Sequence, residues 1–153
     1  MKKVFVIFII FSAIICSCKP SPADWENDFT GSWLLSGSAE LNWHSIEDMT
    51  DGEVVKAINS RLSPSEMTST LEFGNRIIEF TVDGESLGAG TYDIDNDGIV
   101  SVSWGEDGVD TYWMFVMDNI LYMIEYDIDD YGEVSGVQTA YKFSRMSSVP
   151  SHF

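Results

Sequence analysis

The chain has 153 residues, and its 25 acidic and 8 basic side chains give it a formal net charge of −17. Such a charge repels phosphate backbones and anionic lipid headgroups, which excludes nucleic acid as a partner. Hydrophobic residues make up 44% of the chain, enough to bury a core, and the length is that of one folded domain.

The N-terminal segment has the features of a targeting signal. Two lysines precede an apolar run over residues 4–15, which is shorter than the roughly 20 residues of a membrane-spanning helix and typical of a signal peptide. The stretch Ile15-Cys16-Ser17-Cys18 that follows resembles a bacterial lipobox, in which a cysteine after a small residue becomes the new N-terminus. Cys16 is the poorer candidate for that cysteine, because a bulky isoleucine precedes it.

This resemblance implies a bacterial lipoprotein. Residues 1–17 would be removed as a signal peptide, and Cys18 would carry the lipid, with palmitate among its acyl chains. The protein would then be anchored in the cell envelope, on the periplasmic side of the outer membrane or on the cell surface; ordinary secretion is the alternative. Cys18 would be the only cysteine of the mature chain, which leaves no disulfide, thiol nucleophile or thiolate metal ligand.

The mature chain divides into three parts. Residues 18–28 hold two prolines and no apolar periodicity, so we predict a short tether there. The folded domain is predicted to span residues 29–146, which hold all the strand-like runs of the mature chain. Residues 147–153 are predicted to form a loose tail.

Turn signals recur through the domain at intervals of about 9 to 14 residues, the rhythm of antiparallel strands joined by short hairpins. They are Gly74-Asn75, Asp83-Gly84, Asp97-Gly98, Asp107-Gly108, Asp118-Asn119 and the looser segment 129–136. Runs rich in β-branched and aromatic residues lie between these signals and, with one earlier run, predict eight strands. The runs cover residues 31–41, 69–73, 76–82, 90–94, 99–104, 111–117, 120–126 and 139–145.

Most of these runs alternate apolar and polar residues, so one face of the sheet must be buried. In the run 76–82, for example, Ile78 and Phe80 oppose Glu79 and Thr81. Short antiparallel strands with one apolar face are most simply buried by closing the sheet on itself. We therefore predict an all-β fold, an up-and-down antiparallel barrel of eight strands.

The two runs within residues 111–126 depart from this pattern because they are apolar on both faces. One face is expected to line the interior, so the other must be covered by something else. The long insertion 45–66 offers a cover, because its segment 53–62 has helical composition, with Asp51 as the predicted cap and Pro64 as the stop. We predict one amphipathic helix between the first and second strands, packed outside the barrel or closing one end.

Two short motifs at the ends of the domain carry a family resemblance. Gly31-Ser32-Trp33 resembles the Gly-x-Trp signature that opens the first strand of lipocalins and their bacterial relatives, and Tyr141-Lys142-Phe143-Ser144-Arg145 looks like their final strand. The resemblance implies a lipocalin-like barrel of the calycin superfamily, in which the arginine packs across the tryptophan for roughly 0.5–2 kcal/mol. The helical insertion departs from the usual lipocalin and is more similar to the fatty-acid-binding branch of that superfamily.

The stretch DIDNDG, residues 93–98, matches the first half of a calcium loop of the helix–loop–helix type. Such a loop needs a bidentate glutamate at its twelfth position, where this chain has Trp104, and it needs helices rather than strands on either side. We therefore predict a hairpin turn without a metal. Weak surface binding of calcium by the clustered carboxylates is the alternative.

Other candidates for chemistry are sparse. The acidic turns 106–110 and 127–133 are expected at the opposite barrel end from residues 93–98, as a solvated rim or, if they converge, a cation site. His44 has no second imidazole at ligand spacing. Without a cysteine or a suitable histidine, a nucleophilic triad has no parts. We predict that the chain is not an enzyme and uses no cofactor or metal.

Aromatic side chains are the best candidates for a functional site, because they either line a cavity for a small hydrophobic ligand or fill the barrel. The leading hypothesis is non-catalytic ligand binding. The competing hypothesis is a filled barrel that binds or inhibits a protein partner through its acidic loops. A cavity of roughly 300 Å³ or more favours the first, and a filled core the second. The predicted lining residues are Trp33, Phe80, Tyr92, Trp104, Trp113, Tyr122, Tyr141 and Phe143.

Overall fold

A computed structural model of the chain describes residues 20–129, 131–134 and 136–147. The predicted signal peptide, Cys18 and almost the whole C-terminal tail lie outside this part, so those assignments stay predictions. Within it, no helix is long and apolar enough to cross a membrane. The helices are α1 (Pro22–Phe29), α2 (Trp43–Ile46) and α3 (Asp51–Arg61), and the strands are β1 (Gly31–Asn42), β2 (Ser63–Pro64), β3 (Ser69–Gly74), β4 (Ile77–Val82), β5 (Glu85–Ile94), β6 (Ile99–Ser103), β7 (Val109–Met117), β8 (Ile120–Glu125) and β9 (Val137–Arg145).

Eight of these strands form a closed antiparallel barrel, which confirms the predicted fold class. Strands β3 to β8 each pair with the next one along the chain, and β1 pairs with both β3 and β9 to close the sheet. The closing pair runs from Trp33 opposite Arg145 to Asn42 opposite Val137. The two-residue strand β2 pairs with Gly37 and Ser38 of β1, beyond the point where β3 ends. The sheet therefore closes on itself between β1 and β9.

The predicted turns are hairpin turns, and their residues explain why. Asn75 and Arg76 both have positive φ, as do Asp118 and Asn119, and Asp83 precedes Gly84 in the same conformation. Two consecutive residues with positive φ match the right-handed twist of the flanking strands, and asparagine, aspartate and glycine adopt that conformation most readily. The turn signals of the sequence therefore mark real chain reversals.

The barrel wall carries apolar side chains on both of its faces. The inner layer contains Phe29, Trp33, Leu71, Phe73, Ile78, Tyr92, Val100, Val102, Met114, Leu121, Met123 and Phe143. A second layer lies outside the barrel and contains Ala39, Leu41, Ile46, Val54, Ile58, Phe115, Tyr122, Ile124 and Ala140. The outer layer lies under α2 and α3, which explains why the runs within residues 111–126 are apolar on both faces.

Helix α3 is the amphipathic helix that the sequence predicted, and it packs outside the barrel through its fully buried Val54 and Ile58. Its cap is Thr50 and not Asp51, which is the first helical residue. The backbone N–H and hydroxyl of Thr50 both donate to the Glu53 carboxylate, at 2.9 and 2.8 Å. Thr50 is the cap, and not Asp51, because the glutamate three residues after Thr50 can reach back to it.

The predicted tether, residues 18–28, contains most of helix α1. Ser21 caps it, because its hydroxyl accepts from the backbone N–H of Asp24 at 3.4 Å while its own backbone N–H donates to the Asp24 carboxylate at 2.9 Å, and Pro22 occupies the first helical position. A proline is favoured there because its missing N–H would have no partner, so Pro22 begins a helix and does not prevent one. The last residue, Phe29, is fully buried against Phe73, with ring centroids 6.0 Å apart.

Helix α1 closes one end of the barrel, here called the closed end. The turns at residues 75–76, 95–98 and 118–119 lie at this end, while the turns at 83–84, 104–108 and 126–136 lie at the opposite, far end, as the strand order requires. The indole of Trp25 packs on the turn at Gly98. One end of the barrel interior is thus shielded by a helix.

The arginine–tryptophan contact implied by the family resemblance is present at the closed end. The Arg145 guanidinium lies 4.2 Å from the ring centroid of Trp33. It also donates to the backbone carbonyls of Thr30 and Asp28, at 3.0 and 2.7 Å. The Trp33 indole N–H donates to the Phe29 carbonyl at 2.7 Å. The first strand, the last strand and the end of α1 are therefore joined at one point, consistent with a lipocalin-like fold.

We expect Gly37→Ala to lower the free energy of unfolding by roughly 1–3 kcal/mol, because overpacking a tight contact forces the backbone to move. A Cβ atom at Gly37 would overlap the carbonyl oxygen of Ser63, where β2 crosses β1. Gly74→Ala is the matched control, because a Cβ atom there has nothing within 4 Å. Urea unfolding of both variants tests the prediction, and equal midpoints would contradict it.

Candidate functional site

The barrel interior contains a cavity of about 170 Å³ between its packed closed end and its far end. This is smaller than the roughly 300 Å³ expected for an ordinary ligand pocket, but it is not a filled core. Its inner wall is buried, whereas Phe80, Trp104, Tyr112 and Tyr141 are half-buried. The complete lining is Leu35, Leu71, Ile78, Phe80, Trp104, Tyr112, Met123, Tyr141 and Phe143.

The strand register places an aromatic and acidic rim at the far end of this cavity. Asp110 and Tyr112 lie on the same inward face of β7, because strand residues two apart point the same way. Glu125 of β8 lies directly opposite Tyr112. Trp104 follows β6 and begins a turn through the short 3-10 helix Gly105–Asp107. We call Trp104, Asp110, Tyr112, Glu125 and Tyr141 the rim.

Hydrogen bonds hold the polar tips of the rim aromatics on two carboxylates. The Trp104 indole N–H donates to Asp110 at 2.8 Å, and the Tyr112 hydroxyl donates to the same oxygen at 3.4 Å. The Tyr141 hydroxyl donates to Glu125 at 2.8 Å. Each ring is therefore oriented by a carboxylate, with its apolar surface left for the cavity.

A glycine makes room for the indole of the rim. A Cβ atom at Gly90 of β5 would lie 2.9 Å from Cε3 of Trp104 and 2.8 Å from the Ser103 carbonyl oxygen. Real Cβ atoms do not approach other heavy atoms this closely, so only glycine allows Trp104 to fold back over the barrel mouth. The position of the rim tryptophan thus depends on a residue from a neighbouring strand.

The two rim tyrosines stay protonated over the whole neutral pH range. Burial raises the pKa of Tyr141 to about 12, and its hydrogen bond to Glu125 adds to the shift. Burial also raises the pKa of Tyr112, with a further contribution from the negative charge of Asp110. Both phenols therefore act as neutral hydrogen-bond donors and not as bases or nucleophiles.

The structure distributes the eight predicted lining residues over three places. Phe80, Trp104, Tyr141 and Phe143 line the cavity. Trp33 and Tyr92 are inside the barrel, but they pack at its closed end and do not line the cavity. The Tyr92 hydroxyl is buried and has no hydrogen-bond partner among the described residues.

Trp113 and Tyr122 correct the predicted lining, because both lie in the outer layer against α2 and α3. Trp113 meets Trp43 edge to face, with centroids 6.0 Å apart, and Tyr122 stacks on Phe115 at 5.3 Å. Since β7 and β8 are apolar on both faces, alternation by itself could not assign the inward one. The alternation along the strands, which places Ile78 on the same face as Phe80, is the signal that could have identified further lining residues. The lining residues that the prediction missed are Leu35, Leu71, Ile78, Tyr112 and Met123.

The stretch DIDNDG is the hairpin turn between β5 and β6, as predicted. The Asp95 carboxylate accepts hydrogen bonds from the backbone N–H groups of Asp97 and Ile99, at 2.7 and 3.0 Å. Gly98 has a φ of 83°, a conformation that glycine adopts without strain. Among the described residues, no group of three or more histidine, cysteine, aspartate or glutamate side chains is arranged to hold a metal ion.

We expect raising the pH above about 10 to destabilise the fold, partly through Tyr141. An unfolded tyrosine ionises near pH 10, whereas Tyr141 in the fold ionises only near 12. Its contribution is fully present below pH 10 and is lost as the pH rises towards 12, because only the unfolded chain releases the proton. Urea midpoints between about pH 9 and 12 should fall less steeply for Tyr141→Phe than for the parent chain.

Tyr131→Phe is the matched control for this titration, because Tyr131 is 92% exposed. It should keep the pH slope of the parent. A Tyr141→Phe slope that equals the slope of this control would contradict the prediction.

Comparison with known proteins adds little to this description. No family model matches the chain, and no curated protein matches it. Among solved structures, the chain is similar to one described as a REP1-NXSQ fatty acid transporter, with 14% sequence identity and a TM-score of 0.41. The match covers 79% of this chain and 98% of that one. A likeness this distant carries no argument about the site.

Proposed function

We propose that the chain is a non-catalytic protein that holds a small hydrophobic ligand inside its barrel. The observation that carries this proposal is the apolar cavity of about 170 Å³. A dry cavity of about 150 Å³ lined by aliphatic and aromatic side chains is large enough to bind benzene. A single aromatic ring or a short branched chain therefore suits the cavity, and a longer ligand would extend past the half-buried rim.

The chemistry of the cavity supports binding without catalysis. Its lining contains no serine, cysteine, histidine or lysine. Both rim phenols stay protonated, and the two carboxylates accept hydrogen bonds from the aromatic side chains that they orient. A nucleophile paired with a base is the usual requirement for covalent catalysis, and the lining supplies neither.

The competing hypothesis of a protein-binding barrel has lost the observation that motivated it. The second apolar face of β7 and β8 suggested a partner, but α2 and α3 cover that face within the same chain. The interior also retains a cavity, whereas that hypothesis expects a filled core. The acidic loops of the far end are then its remaining support.

We also propose that residues 1–17 are a signal peptide and that a lipid on Cys18 anchors the protein in the bacterial cell envelope. Helix α1 begins at Pro22, four residues after Cys18, and it packs at the closed end of the barrel. A lipid on Cys18 would therefore lie at the closed end. The cavity rim would then face away from the membrane, where a ligand in the surrounding solution can reach it.

Binding of a neutral aromatic probe tests the cavity. We expect tert-butylbenzene to bind the full chain carrying Cys18→Ala, which lacks the predicted acyl chains, and to raise its melting temperature progressively as the probe concentration exceeds the dissociation constant. Leu71→Phe should weaken this binding because the added ring takes up cavity volume. Leu87→Phe is the matched control, because Leu87 is 65% exposed. Equal probe binding by the two variants, or none by the parent, would contradict the proposal.

Metabolic labelling with palmitate tests the anchor. The full chain should incorporate the label and sediment with membranes, and Cys18→Ala should do neither. Cys16→Ala is the matched control and should behave as the parent, because Cys16 would be removed with the signal peptide. A Cys18→Ala chain that is still acylated and membrane-bound would refute the anchor.

A further inference from the structure

The chemistry of the rim restricts the class of ligand. Faces of aromatic rings carry negative electrostatic potential, and three such rings surround the cavity mouth. Two of them, Tyr112 and Tyr141, donate their hydroxyl protons to carboxylates, as the Trp104 indole N–H also does. The positively polarised O–H and N–H groups of these side chains therefore point towards protein carboxylates. Their negative faces and two carboxylates are what a bound molecule meets.

Basic side chains are absent from the strands β4 to β8, which carry most of this rim. The sequence has no lysine or arginine between Arg76 and Lys142, a span that includes β4 to β8 and all three far-end turns after β4. Arg76 lies at the closed end, where it pairs with Glu26 and Asp93 at 3.8 and 3.3 Å. Lys142 is on the outer face and donates to Asn59 of α3.

The far-end loops add further negative charge around the rim. The turn from β6 to β7 carries Glu106 and Asp107, and the loop from β8 to β9 carries Asp127, Asp129 and Glu133. Negative charges clustered in one region raise the local concentration of cations and lower that of anions. A fatty carboxylate entering this cavity would have to place its charge beside the negative charge of Asp110 or Glu125.

We propose that the ligand is an organic cation, in which an apolar or aromatic group is joined to an amine or quaternary ammonium. The apolar group occupies the cavity, and the ammonium lies at the rim against Trp104, Tyr112 and Tyr141, beside Asp110 and Glu125. Cations are attracted to the faces of tryptophan and tyrosine rings, most strongly where water is partly excluded. This inference rests on the proposed ligand-binding function and specifies its ligand class.

Three probes that share one phenyl ring and a tetrahedral substituent separate the effect of charge from that of shape. They are phenyltrimethylammonium, tert-butylbenzene and benzenesulfonate, with charges of about +1, 0 and −1 at neutral pH. Dissociation constants are measured by NMR titration of the full chain carrying Cys18→Ala, following the Trp104 indole N–H signal. We expect the cation to bind about tenfold more tightly than the neutral probe, and the anion most weakly.

Asp110→Asn and Asp118→Asn form a matched pair of variants. Asp110 lies at the rim end of β7, and Asp118 follows the same strand at the closed end, so both variants lose one charge. We expect Asp110→Asn, and likewise Glu125→Gln, to reduce the preference for the cation over the neutral probe by about threefold or more, and Asp118→Asn to keep it. Added salt should weaken binding of the cation but not of the neutral probe.

The outcomes separate this inference from the proposed function. Equal binding of the cation and the neutral probe, or tighter binding of the sulfonate, would overturn the organic-cation inference while leaving a hydrophobic ligand in place. Failure of all three probes to bind the parent chain would overturn the proposed function together with the inference. A preference for the cation that is lost equally in Asp110→Asn and Asp118→Asn would also overturn the inference, because it would reflect net charge and not the rim.

Discussion

The contact between Arg145 and Trp33 joins the first strand, the last strand and the end of α1, and the closed barrel depends on this junction. The guanidinium lies 4.2 Å from the indole centroid and donates to two backbone carbonyls near the end of α1. Lysine could not replace it, because a planar guanidinium stacks on the ring while its separate N–H groups reach different acceptors. The contact lies where the first and last strands pair, so it secures the closure of the sheet. Without that closure there would be no enclosed interior and no cavity.

Closure alone does not explain the shape of the barrel, because β7 and β8 are apolar on both faces. The α2–α3 insertion buries the outer face, and the short strand β2 then passes over Gly37 with no space for a methyl group. The insertion is therefore part of the wall. Its position leaves the cavity clear of both helices, since no residue of α2 or α3 lines it.

The interior is polarised from one end to the other. The closed end is filled by large side chains and shielded by α1; these side chains are those of Trp33, Phe73 and Tyr92. The far end is lined by aromatic rings whose polar tips are bound to carboxylates and is surrounded by acidic loops. Shape complementarity alone cannot distinguish ligands of similar shape that differ in the sign of their charge. A site with apolar walls and a negative mouth can do so, because it repels anions and attracts cations. Helix α1 and the rim lie at opposite ends of the barrel, which is compatible with the proposed anchor and with uptake of a ligand from solution.

The sequence by itself determined the class of fold and most of its chain reversals. Glycine, asparagine and aspartate at the turns define where strands end, and one apolar face on short strands requires a closed sheet. The contact of Arg145 with Trp33 was accessible through the family resemblance. Helix α1 was accessible too, because Ser21, Pro22 and Asp24 form a capping pattern that the interpretation of residues 18–28 as a tether overlooked.

Only the tertiary structure decided which face of β7 and β8 points inward, and this placed Tyr112 in the cavity and Trp113 and Tyr122 outside it. A period of two identifies two faces but cannot tell them apart when both are apolar. The volume of the cavity was equally undetermined, because it is the small difference between the space inside the barrel and the side chains that fill it. The acidic rim was also decided by the tertiary structure, because strand register and barrel closure bring Asp110 and Glu125 to the same end of the cavity.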